Sequence, residues 1–276
     1  MDFPQYTGIL FSYMKKTYTS IVAALLVTAF TLHAGTPVLD SKTTSLPTLG
    51  GSFGVDIVSG YTFNGVQIEK GPTVQPYLNL NVPLDIQLGL IDSASLFVKA
   101  RQFTTSNAPK GDWFRSEVAT GIALNIGALS LTPTYHYINS PNGSADQAQA
   151  VSATLAYGGK LFGQLALNPH ATVFYGTQGN AGNGKDNGVY YEVGVAPGFK
   201  IQGTDVTVPI NVGVASNNFY ANDQRYGYTS FGVATKTPLL TNVFLKTSAT
   251  YFSTKEALNS GQTNHWQIGA GIGVDF

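Results

Sequence analysis

The sequence contains no cysteine. This excludes disulfides, thiolate metal sites and lipid attachment at an N-terminal cysteine, and it leaves the redox compartment unmarked. Charge is scarce too: Asp, Glu, Lys and Arg make up 11% of the chain, about half the usual globular share. That is little to wet a surface. The 15 basic and 15 acidic residues cancel, so no net field draws a polyanion, and no basic patch supports binding of nucleic acid. Tryptophan is rare, with 2 residues, whereas Tyr (15), Phe (16) and Gly (31) are plentiful. These residues suit strands and turns.

No convincing helical period occurs after Gly51, and the apolar run IVAALLVTAF at residues 21–30 falls short of the roughly 20 residues that span a bilayer as a helix. Lys15 and Lys16 precede that run and Leu32-His33-Ala34-Gly35 follows it, which is the layout of a secretory signal peptide. The expected organisation is a signal peptide at residues 1–34, with Met14 as an alternative start, a polar periplasmic linker at 35–50 and a single β-domain at 51–276.

The β-domain divides into about twelve segments of about ten residues each, with a side-chain period of two. The first is expected to run from Ser52 to Phe63 with Phe53, Val55, Ile57, Tyr61 and Phe63 on one face, and the second carries Val74, Leu78, Leu80 and Val82. Another sets Phe114, Val118, Ile122, Leu124 and Ile126 against Arg115, Glu117 and Asn125. Gly127-Ala128 then forms a two-residue turn, across which Ile126 and Leu129 share a face. The stretch HWQIGAGIGVDF places Trp266, Ile268, Ala270, Ile272, Val274 and Phe276 on one side, opposite His265, Gln267, three glycines and Asp275. Small and polar groups make a poor core for a soluble sandwich, so the apolar face is expected to point outward into lipid.

The connections support this. Those beginning near Asn64, Thr104, Asn139, Gly176, Ser216 and Ser253 are rich in Gly, Asn, Ser, Asp and Lys, and most of those between them are shorter. Two rims of unlike loops are what a transmembrane β-barrel shows. The expected fold is therefore all-β, a closed antiparallel up-and-down barrel of about twelve strands, in which the last strand pairs with the first because an open edge in lipid would strand backbone groups.

Few motifs offer chemistry. Residues 179–186, GNAGNGKD, nearly spell a phosphate-binding loop, but Asp186 stands where Ser or Thr must reach magnesium and no helix follows. An external loop is the better reading. The 4 histidines are His33, His136, His170 and His265, without close metal-ligand spacing, and the last three fall on the inward parity. A hydrolase acting on membrane lipid would need Ser and His together on the lipid side. No enzyme, metal site or cofactor is expected. The inward charges are Asp56, Lys99, Arg101, Arg115, Glu117, Glu192, Lys246 and Asp275. They either brace the lumen or line a constriction that sorts solutes by charge, with Lys99, Arg101 and Arg115 able to form a basic ladder beside Glu117. Many other inward positions are Gly, Ala, Ser or Thr, which favours a narrow water-filled channel over a plugged barrel.

The signal peptide, the alternating strands and Phe276 together resemble bacterial outer-membrane β-barrels. That resemblance implies export to the outer membrane of a Gram-negative cell and recognition of Phe276 by the barrel-insertion machinery. More narrowly, Ser59-Gly60-Tyr61-Thr62-Phe63-Asn64-Gly65-Val66, Gly188-Val189-Tyr190-Tyr191-Glu192 and Tyr135-His136-Tyr137 resemble the small porins of the TorF type, in which an Arg is expected where this chain has Asn64. The implied function is passive diffusion of small hydrophilic solutes across the outer membrane. The alternative is a non-conducting structural or adhesive barrel that acts through its external loops.

Overall fold

The computed structural model describes residues 48–84, 89–106, 112–143, 145–162, 165–179, 187–216, 218–220, 224–259 and 263–276. The expected signal peptide, nearly all of the linker and most of the loop at 179–186 lie outside the described residues.

The strands are β1 (Gly50–Val58), β2 (Tyr61–Phe63), β3 (Val66–Glu69), β4 (Thr73–Leu84), β5 (Ser93–Thr104) and β6 (Trp113–Ile126). They continue as β7 (Leu129–Asn139), β8 (Ala148–Tyr157), β9 (Lys160–Phe162), β10 (Leu165–Ala166), β11 (His170–Gln178) and β12 (Val189–Val195). The last are β13 (Gly198–Ile201), β14 (Thr204–Thr207), β15 (Ile210–Ala215), β16 (Tyr226–Pro238), β17 (Val243–Thr254) and β18 (Asn264–Asp275). All except β2 and β3 form one antiparallel sheet that closes on itself as a twelve-stranded barrel. Closure runs through β1 and β18, from Ser52 opposite Asp275 to Val58 opposite Gly269.

Four staves of the barrel are each built from two segments: β8 with β9, β10 with β11, β12 with β13, and β14 with β15. Three of these breaks contain Pro169, Pro197 and Pro209. Proline has no N–H to give to a ladder. Its carbonyl still serves, since Pro169, Pro197 and Pro209 accept from the N–H groups of Tyr157, Val208 and Gly232 at 2.9–3.0 Å. The wall is thus notched without being opened.

The outward face is apolar, as the alternation required. Ile57, Leu96, Ile122, Leu155, Val193, Phe231, Trp266, Ile268 and Ile272 are all exposed to the surroundings of the barrel. Ile126 and Leu129 pair across the turn, where Gly127 adopts φ 58°. On the same outer face Phe231, Tyr251 and Trp266 are opposite one another on three adjacent strands, with ring centres 5.2–6.0 Å apart. Aromatic side chains are favoured where a barrel meets the membrane interface. The rim that carries Gly50 and Asp275 has the short connections 127–128, 202–203 and 239–242. The opposite rim carries the long ones. Short turns mark the periplasmic side of such barrels, and the two ends are here termed the turn rim and the loop rim.

The structure corrects the sequence reading at two places. The first strand ends at Val58, and Tyr61 and Phe63 belong to a separate hairpin, β2 with β3, which turns into the lumen. At Phe114 the alternation is broken by an irregularity in the β5–β6 register between Phe103 and Thr104. An extra residue shifts side-chain parity. Phe114 consequently packs on Tyr61 and Phe103 instead of facing lipid.

Candidate functional site

The hairpin β2–β3 crosses the lumen at the loop rim. Its tip is Asn64-Gly65, with φ of 48° and 85°, the conformation that a two-residue hairpin of the primed type demands and that Asn and Gly tolerate best. Strand pairing runs from Phe63 opposite Val66 to Tyr61 opposite Glu69. This two-stranded piece would be marginal alone, so its contacts with the wall must hold it.

Those contacts reach most of the way around the barrel. Beside β5 and β6, Tyr61 packs tilted against Phe103 at 4.2 Å between ring centres and donates its hydroxyl to Glu117. Arg115 donates from Nε to the same carboxylate, and its guanidinium lies 4.4 Å from the ring centre of Phe63. Beside β18, the Thr62 N–H donates to Gln267 at 3.1 Å and the Thr62 hydroxyl meets His265 Nε2 at 2.8 Å. Phe63 meets Phe174 on β11 edge to face. The Gln67 N–H donates to Asn259, and Asn259 donates back to the Gly65 carbonyl. Tyr220 donates to the Asn64 carbonyl, and a Cβ on Gly65 would come within 2.7 Å of Tyr228. Burial pushes the phenols of Tyr61 and Tyr220 up, so both remain neutral donors.

Around the tip lies one buried cluster that includes Val66, Ile138, Ala150, Phe174, Phe219 and Tyr220. The outer half of the lumen therefore has the character of a protein core. The expectation of an open water-filled channel through small inward residues fails there, because the connections after β1, β15 and β17 supply, with Phe63 and Val66, Phe219 and Tyr220, and Leu258, the filling that the wall lacks.

The inner half differs. A cavity of about 370 Å³ is bounded by Ser52, Asn79, Asn81, Phe97, Lys99 and Asp275, among others. Asp56 receives Lys246 Nζ at 2.7 Å and Arg101 at 3.4 Å, while Arg101 also donates to Gln75. Gly271 stands between Lys246 and Asp56 in the ladder, and a Cβ there would come within 2.0 Å of the Asp56 carboxylate. A glycine at 271 is what lets this ion pair bridge two strands. Asp275 pairs with Lys236 at 2.7 Å.

The eight charges expected to line the lumen thus separate into groups. Asp56, Arg101 and Lys246 meet, and Asp275 finds Lys236, which the sequence reading missed. Arg115 and Glu117 hold the hairpin. Glu192 accepts hydroxyl hydrogen bonds from Tyr190 and Tyr228, with His170 Nε2 at 3.7 Å, and forms part of the outer filling. Lys99 stands apart, 5.2 Å from the ring centre of Phe97 on its own strand. The basic ladder of Lys99, Arg101 and Arg115 does not form as one unit, since each cation turns to a different neighbour. Phe276 exchanges backbone hydrogen bonds with Gly51 and packs near Phe53. A Ser–His contact exists between His136 Nε2 and Ser152 at 2.8 Å, on the parity opposite to exposed Tyr135 and Val151. It faces away from membrane lipid.

Arg115 offers a direct check on the hairpin. Arg115→Ala leaves the Glu117 carboxylate without its cation and removes the platform under Phe63. A loss of about 3 kcal/mol is expected, read as an earlier urea midpoint of the folded barrel in vesicles. An unchanged midpoint would show that the hairpin is held by other contacts.

No family model and no curated protein matches the chain. Among solved structures, an outer-membrane channel from Pseudomonas putida F1 is 12% identical, with 86% of this chain and 100% of that one covered at a TM-score of 0.51. The NanC porin is 13% identical over 80% and 98% of the two chains, with a TM-score of 0.47. Outer membrane phospholipase A from Escherichia coli is 11% identical over 86% and 94%, with a TM-score of 0.46. These similarities concern the fold, bear out the broad resemblance and do not extend to the TorF type. The fold of this chain is that of the bacterial outer-membrane β-barrels.

Proposed function

We propose that this barrel is an outer-membrane channel for passive diffusion of small hydrophilic solutes, with β2–β3 as the closed gate at its loop rim. The observation that carries this reading is the division of the lumen. A solute pathway accounts for an inner half lined by Lys99, Asn79, Asn81, Ser52 and Asp275 around a cavity. Polar and charged linings are what a solute pathway needs. Delivery follows from the signal sequence at residues 1–34, and insertion from recognition of the strand that ends in Phe276. Lys99, Asp56, Arg101, Lys246 and Asp275 face the solute, whereas Arg115, Glu117 and Glu192 hold the closed form.

The second reading is a non-conducting barrel that acts through its loops, and the dense packing around Val66 and Phe174 favours it. Recording from refolded protein in planar bilayers separates the two. Discrete steps above background are expected of a channel. No current, with the hairpin present or removed, would overturn the channel and leave the structural barrel.

A further inference from the structure

The charges of the inner half do not balance. Along the contiguous wall of β5, β4, β1, β18, β17 and β16 stand four cations, Lys99, Arg101, Lys246 and Lys236, and two carboxylates, Asp56 and Asp275. Asp56 is shared by Lys246 and Arg101, and Asp275 is taken by Lys236. Lys99 has no carboxylate at ion-pair distance among the described residues, and it is exposed on the cavity with Ser52, Asn79, Asn81 and Thr132. On the facing wall β7, β8 and β11 carry no Asp, Glu, Lys or Arg and present hydroxyls, with Thr154 and Thr172 bonded to each other at 2.8 Å, and the carboxylate of Glu192, opposite Thr172 on β12, accepts from Tyr190 and Tyr228. A concave space with low-dielectric walls focuses such an excess.

We infer that the inner half of the lumen is a vestibule for small oxyanions, carboxylate or phosphate in type, with Lys99 as the cation that meets them. The amides of Asn79 and Asn81 and the hydroxyls of Ser52 and Thr132 can donate to the oxygens of such a solute, and the triad of Arg101, Asp56 and Lys246 adds net positive charge behind it. Of the acids at the turn rim, Asp275 is paired with Lys236 and Asp205 with Lys200, while Asp92 accepts from the Gly127 N–H. This inference names the solute class for the channel proposed above and rests on that reading for transport, but the vestibule and its potential can be tested without current.

The chain has no cysteine, so a thiol placed at Asn81 is unique. In Asn81→Cys protein folded into vesicles, the rates of reaction with a negatively and a positively charged methanethiosulfonate reagent, each divided by its rate with a free thiol, report the local potential. The anionic reagent is expected to be favoured several-fold. Adding Lys99→Gln should remove most of that preference, and adding Asp56→Asn should increase it. High salt should reduce it. A preference for the cationic reagent, or a ratio unmoved by Lys99→Gln, would overturn the assignment. Because Lys99 is exposed and bears no ion pair, its substitution leaves the barrel folded, and retained heat-modifiable migration on gels verifies this. Absence of current in bilayers would overturn the channel while leaving this measurement to stand or fall by itself.

Discussion

Deleting residues 60–71 and joining Ser59 to Pro72 through a short Gly-Ser linker should raise the conductance of the refolded barrel several-fold and lengthen its openings. The reason lies in what those residues displace. With the hairpin gone, Phe103, Phe114, Phe174 and Tyr228 lose partners on one side of the outer half, while Phe219, Tyr220 and Leu258 from two other connections stay. Water can then enter between walls that a twelve-stranded barrel holds wider apart than an eight-stranded one. The wall itself should survive. β1 and β4 are paired from Gly50 opposite Asn81 to Val58 opposite Thr73 without help from the hairpin, and their ends lie close enough for a short linker. Arg115 and Glu117 would become solvated and still neutralise each other. A deletion variant that folds and conducts no better than the unaltered chain would show that something other than β2–β3 limits passage.

The second large effect concerns the membrane face. Ile122 lies on β6 four residues before its turn-rim end at Ile126, opposite Leu96, and both are exposed on the outer surface. Arg at that position should destabilise the barrel by about 2–4 kcal/mol, the cost of a cation near the bilayer midplane. Its neighbour Ala123 pairs with Ser95 and lines the inner cavity, so Ala123→Arg should cost clearly less, because the guanidinium finds water and polar groups. Reversible urea unfolding in lipid vesicles measures both. Equal losses would contradict the assignment of faces on which the fold rests.

Much of that fold could be read from the chain because the period of two records which side of each strand meets lipid. Trp266, Ile268 and Ile272 show it, as do Ile126 and Leu129 across their turn. What was lost was lost where a local irregularity breaks the period. Tyr61 and Phe63 keep the parity of Phe53 and Ile57, so the sequence reads as one long strand, yet the ladder stops at Val58. The Asn64-Gly65 pair was the available sign, since that dipeptide between alternating apolar residues is a strong signal for a tight hairpin. Phe114 was misplaced because a register shift leaves no compositional mark. The site was legible only in part. Parity identified Asp56, Lys99, Arg101 and Lys246 as inward, but partner choice depends on strand register and on Gly271 leaving room. Lys236 could have been found from Phe231 and Val233, which fix the faces of β16. That Glu192 would be taken up by Tyr190 and Tyr228 could not.

The central claim is a lumen closed at the loop rim and wet at the turn rim. The most direct test is the side from which single cysteines can be labelled in protein inserted in one orientation. With a membrane-impermeant thiol reagent, Asn81→Cys should react from the turn-rim side and hardly at all from the loop-rim side, and Val66→Cys, buried at the hairpin, should resist from both. Equal labelling of Asn81→Cys from the two sides, together with rapid labelling of Val66→Cys, would contradict the account.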